Sequence, residues 1–315
     1  MEWLNPYQVQ IATFVLINIL LALSVYITLA TGQLSLGQAG FMSIGAYTAG
    51  LFVKVLGWPL LAALGMSMIT PAVVALVIGW PTLRLRGLYL AIATLGFGEV
   101  VRVIILNLPF TGGALGLKGL PSLGTMLMEP LKAMGMTKPP FGLSVPLFKA
   151  LMAFIFILII ILLVFWLLAR LMNARVGRAF SAIRSDEVAA QAMGIPLQTY
   201  KMLSFVMGSM LAGLGGGLFA FVTTAIAPED FSYHRVVEML SFAVIGGSEV
   251  LWGPVLGAIL LTALPEVLRI LSDYKMLFYG FTLLLVMALR PRGLLTLDMV
   301  RFWRRRFKSV ANDEA

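Results

Sequence analysis

The chain is 315 residues long, 60% hydrophobic and only 12% charged. A water-soluble domain of this size has no means of hiding so much apolar surface, so the solvent of this chain is a bilayer. The absence of cysteine excludes disulfides, thiolate metal sites and a cysteine nucleophile. The net charge of +9 gathers at span ends and in the C-terminal tail, as in cytoplasmic loops beside anionic lipid, and argues against a nucleic-acid partner.

In chain order, apolar runs long enough to cross a membrane predict spans near 11–30, 60–80, 88–107, 148–170, 199–224 and 275–290. A Gly- and Ser-rich run at 36–56 predicts a seventh, packed closely on its neighbours. The stretch 236–270 is interrupted by Gly246, Gly247, Ser248, Gly253 and Pro254, and predicts two helices, the first short, with a break at about 247–253. The expected fold is one all-α polytopic membrane domain over 1–315, with about nine transmembrane helices (eight to ten), some short or broken.

Basic residues set the expected orientation. No Lys or Arg precedes Lys54, which places the N-terminus outside. With that count of spans, Arg84–Arg86, Arg170–Arg184 and the tail from Arg290 all fall in the cytoplasm, and these are the Arg-rich segments. The segment 108–147, rich in Gly, Pro and Lys, becomes an external loop region; 171–198 is a cytoplasmic segment, and 291–315 is a basic cytoplasmic tail.

Within 171–198, the run RVGRAFSAIRSDEVAAQAMGIP lies between two long hydrophobic helices. Ser185 is expected to cap a helix with Asp186 and Glu187 in its first turn, where negative charge complements the dipole. Gly194 and Pro196 stop it after about two turns, roughly 12 Å. Val188, Ala189, Ala190 and Ala192 leave it little bulk, so it suits a groove on another protein. An ordinary cytoplasmic loop is the competing reading.

Three features suggest a polar pathway. In 31–50, Gln33, Ser35, Gln38, Ser43 and Tyr47 are interleaved with Gly37, Gly40, Gly45 and Gly50. Lipid offers these polar groups no partner, so they should face protein or a cavity. Small-residue packing with polar contacts between helices is the alternative. In 87–107, Thr94 leads to Glu99, with Arg102 one turn on, a spacing that favours a local, structural ion pair over a proton carrier. The glycines of GSMLAGLGGGLFAF at 208–221 suit tight packing. Gly is never followed by Lys, so the chain lacks a phosphate-cradling GxxxxGK[ST] loop. The single histidine, His234, lies in a polar run read as a solvated loop, which leaves no zinc site and no Ser/His/Asp arrangement. No catalytic residue or metal ligand is assigned.

The segments GQLSLGQAGFMSIGAYTAG (32–50), LRGLYLAIATLGFGEVVR (85–102), TGGALGLKGLP (111–121), VGRAFSAIRSDEVAAQAMGI (176–195) and GGSEVLWGPVLGAI (246–259) resemble the permease of branched-chain amino-acid ABC importers, of the LivM type. The resemblance runs in order along nearly the whole chain. It implies that 176–195 is the region docking on an ATPase subunit, with Arg184, Ser185, Asp186, Glu187, Ala189, Ala190, Met193 and Gly194 its candidate contact residues. It also implies a LivH-type second permease, two ABC ATPase subunits that bind the ATP and Mg, and a periplasmic or lipid-anchored substrate-binding protein, in a bacterial or archaeal inner membrane. This chain would bind no cofactor and would not itself be an enzyme. The expected solutes are leucine, isoleucine and valine, with urea, amides or aromatic acids as alternatives carried by related permeases. A proton- or sodium-coupled transporter titrating Glu99 or Glu238 is the rival from another class.

Overall fold

The helices begin and end where the apolar runs do. A computed structural model describes residues 5–133, 144–267 and Leu284. The main elements are α1 (Pro6–Leu29), α2 (Gln38–Lys54), α3 (Leu60–Thr82), α4 (Leu88–Asn107), β1 (Leu117–Lys118), α5 (Leu123–Ala133), α6 (Val145–Asn173), α7 (Arg175–Ser185), α8 (Glu187–Ala192), α9 (Leu197–Thr223), β2 (Ala225–Ile226), α10 (Tyr233–Gly246) and α11 (Trp252–Val267). The predicted break at 247–253 falls between α10 and α11, so that stretch is two short helices. The predicted span 275–290 and the tail 291–315 lie outside the described residues.

Burial sorts the spans into an inner and an outer set. The apolar windows of α1 and α9 are 78% and 72% buried, against 28–33% for α3, α4 and α6. α1 and α9 therefore run through the centre with α2 beside them. The outer helices turn Val73, Val77, Tyr89, Ile92, Ile159 and Leu162 outward, as contact with lipid chains requires.

Without a hydrophobic drive between helices in lipid, close approach comes from small residues. Gly45 of α2 lies on the backbone of Gly213 in α9, and Gly213 in turn lies against the Ser67 carbonyl and the Pro71 ring of α3. Gly216 meets the Met42 carbonyl of α2. The Gly-rich run of α9 is thus a continuous helix used for packing. Gly246, Gly253 and Gly257 close the α10–α11 pair in the same way, Gly257 against the Phe242 carbonyl.

Three segments differ from the sequence reading. The region 108–147 is not all loop: β1 pairs antiparallel with β2, Leu117 opposite Ile226, and α5 then packs on α6 through Gly124. A second helix, α7, precedes the expected docking helix; it buries Gly177, Ala179, Phe180 and Ile183. His234 lies in the first turn of α10 rather than in a loop, and is exposed there.

Candidate translocation and coupling site

The segment expected to dock on a partner is a pair of helices, α7 and α8, joined by a sharp turn. Ser185 does not cap α8. It is the last residue of α7, and its Oγ donates back to the Ser181 carbonyl at 2.9 Å. Asp186 is the cap, accepting from the backbone N–H groups of Val188 (2.8 Å) and Ala189 (3.0 Å), two of the donors a helix start leaves unpaired. The helix that follows has six residues, about 9 Å rather than the expected 12 Å. Met193 is its C-cap and Gly194, with φ of 81°, ends it in the left-handed region. Val188 and Met193 are 71% and 84% exposed and Ala189 is exposed beside them, whereas Ala190 turns into the chain. The presented surface is apolar, and not purely small.

Polar contacts tie this pair to the bundle. Glu187 accepts from Lys201 Nζ of α9 at 2.5 Å, and the Lys201 side chain is only 9% exposed. A buried cation of that kind depends on its partner. The Arg86 contact to the other Glu187 oxygen is longer, at 3.9 Å, and solvated, so it contributes little. Arg184 donates from its two terminal nitrogens to the Ser248 carbonyl (2.6 Å) and Oγ (3.0 Å) in the α10–α11 turn.

The non-helical lead-in to α2 lies directly beneath. Gln33 Nε2 is within hydrogen-bonding distance of Thr31 Oγ1 (2.9 Å), the Lys201 carbonyl (3.0 Å) and Ser204 Oγ (3.1 Å). Its two hydrogens must be shared among three acceptors. Leu36 N donates to Thr94 Oγ1 at 2.9 Å. Gln33, Ser35, Gln38 and Thr94 are therefore brought together at one end of α2, all buried. Ser43 and Tyr47 continue along the same helix, Tyr47 about 14 Å beyond Gln38 and packed on Phe231. Both amide atoms of Gln38, the hydroxyl of Ser43 and Oε1 of Gln33 are buried with no protein partner. Buried polar atoms of this kind are uncommon, and they mark a polar seam through the packed helices.

Glu99 stands apart from this seam. It sits on a half-exposed face of α4 and accepts from Arg102 Nε at 2.8 Å, the local pair its spacing predicts. In a Glu99→Gln variant the Arg102 charge loses its partner at membrane depth. The thermal stability of the detergent-extracted protein should fall, and adding Arg102→Gln should restore part of it. Unchanged stability together with abolished transport would instead make the pair functional. Glu238 is likewise paired, with Arg235 at 2.5 Å.

Sequence reasoning missed Lys201 and Ser204, which come from α9 with no local spacing to betray them, and passed over Thr31, two residues before Gln33 in the turn after α1. It also passed over Asn18, an amide within an apolar span, which was a legible signal.

A bundle of apolar helices around a buried polar seam, with a docked helix pair at one end, is the architecture of a multi-pass membrane permease. Residues 7–287 match the family described as branched-chain amino acid transport system / permease component, and the chain belongs to it. It is 34% identical over 295 residues to the high-affinity branched-chain amino acid transport system permease protein LivM of Escherichia coli (strain K12), covering 91% of this chain and 69% of that protein. The protein of the same name from Salmonella typhimurium (strain LT2) is 33% identical over the same coverage. The autoinducer 2 import system permease protein LsrC of Enterobacter sp. (strain 638) is 29% identical over 209 residues, 64% of this chain and 55% of that one. No solved structure matches.

Proposed function

We propose that this chain is the permease subunit of an ATP-driven importer for leucine, isoleucine and valine. In this reading it forms the pathway with a second, LivH-type permease, is driven by two separate ATPase subunits, and receives solute from an external binding protein. The observation that carries it is the α7–α8 pair: an exposed apolar tip of Val188, Ala189 and Met193, anchored to the bundle through Glu187–Lys201 and Arg184–Ser248. Such a tip offers a partner a grip while its anchors carry movement to the lead-in of α2 and to the α10–α11 turn. The names of the LivM relatives supply the solute class. The Arg-rich segments support a reading with the α8 side in the cytoplasm and the N-terminus outside.

The test is uptake of labelled leucine into proteoliposomes holding the whole importer. Uptake should require ATP on the α8 face and loaded binding protein on the other. Uptake by this chain alone, driven by a proton or sodium gradient, would overturn the reading in favour of a secondary transporter.

A further inference from the structure

Arg235 stands in the first turn of α10, and its partner fixes its depth: Asn18 lies about midway along the 24-residue α1. Its NH1 donates to Glu238 Oε2 at 2.5 Å and its NH2 to Asn18 Oδ1 at 3.0 Å. Asn18 is held from behind, its Nδ2 donating to Thr262 Oγ1 of α11 at 3.0 Å. Three helices thus position one guanidinium. The guanidinium carbon lies 5.6 Å from the Phe219 ring centroid, and Phe219 is flanked by Phe14 at 6.3 Å and Phe231 at 6.2 Å.

A charge at this depth is costly and commonly functional. The network also does not consume its own donors: Arg235 Nε is buried and has no acceptor. A buried donor left unmade is a penalty that a ligand oxygen removes. Nε and the adjacent NH2 form one edge of the guanidinium fork, whose geometry matches a carboxylate. Glu238 is the more open partner, its side chain 36% exposed against 15% for Arg235. A cation donor, an anion acceptor and an aromatic wall therefore lie side by side.

We propose that Arg235 and Glu238 form an intramembrane station for the zwitterionic head of the transported amino acid. The solute carboxylate docks on the Nε edge of Arg235, its ammonium on Glu238, and its aliphatic side chain against Phe14 and Phe219. This rests on the importer reading above and names the part of the pathway that recognises the solute class.

The test uses the complete importer with loaded binding protein, measuring both leucine uptake and ATP hydrolysis. In Arg235→Gln the leucine moved per ATP should fall about ten-fold or more, the size expected for a lost hydrogen bond to a charged group, while ATP hydrolysis persists. A merely structural defect would lower the two together. Arg235→Gln/Glu238→Gln should stay impaired, because neutralising both partners repairs a structural pair but not a binding site. If Arg235→Gln fails to assemble, Arg235→Lys decides the matter: it keeps the charge, loses the fork, and should show reduced leucine per ATP. Wild-type leucine per ATP in the assembled single variant, or full recovery in the double variant, overturns the proposal. A wild-type importer that moves no leucine overturns the importer reading itself, and this one with it.

Discussion

A Gly213→Val variant should fail to accumulate as folded protein, whereas Gly65→Val should accumulate normally. The first substitution drives a side chain into the Ser67 carbonyl and the Pro71 ring, at a point where Gly45 already rests on the Gly213 backbone. Three helices would have to part at once. The cost should exceed the roughly 1–3 kcal/mol of ordinary overpacking, because backbone rather than a flexible side chain must move. Gly65 lies in α3 with nothing within 4 Å of its would-be side chain, so it controls for the substitution itself. The measurement is the monodisperse fraction of a fluorescent fusion in detergent. Equal yields for the two variants would show that this seam does not hold the bundle together.

The second large effect concerns docking. Met193→Asp and Ala189→Trp should each reduce co-purification of the ATPase by about ten-fold, equivalent to about 1.4 kcal/mol of interface, while leaving the permease in the membrane. Met193→Asp puts a charge where an apolar side chain is 84% exposed in the isolated chain, and a buried unpaired charge is poorly tolerated. Ala189→Trp adds bulk to the presented face. Ala190→Trp should act differently, because Ala190 is only 4% exposed; it should dislodge α8 from its own chain and lower stability as well as docking. Normal pull-down with both Met193→Asp and Ala189→Trp would mean that α8 is not the element gripped by the ATPase.

The spans among the described residues were legible because a bilayer leaves the chain few choices. Lipid forces runs of about 20 apolar residues, and Gly246 to Pro254 announce a break without any tertiary information. The cap of α8 was misread for a local reason. Ser185 and Asp186 are both good caps, and the choice depends on where the preceding helix ends; α7 gives no apolar signal of its own because its buried face is partly Gly and Ala. The two-residue strands are too short for any pattern to reveal, since their pairing joins positions more than a hundred residues apart. The same holds for the seam itself. Its members in 31–50 stand out as polar residues in an apolar run, but two of the three groups that meet Gln33 come from α9, 168 and 171 residues away. Periodicity identifies a face and does not say what lies opposite.

The shortness of α10 has a mechanical consequence. Its 14 residues make a rod about 21 Å long. One end adjoins the turn gripped by Arg184, and the other carries Arg235. A rigid tilt of about 10° pivoting at the Ser248 end would sweep the far end by about 4 Å over that rod length. That exceeds the whole span of a hydrogen bond. Such a tilt would pull Arg235 away from Asn18 and carry Arg235 and Glu238, which share α10, as one body past the rings of Phe14 and Phe219 on α1 and α9.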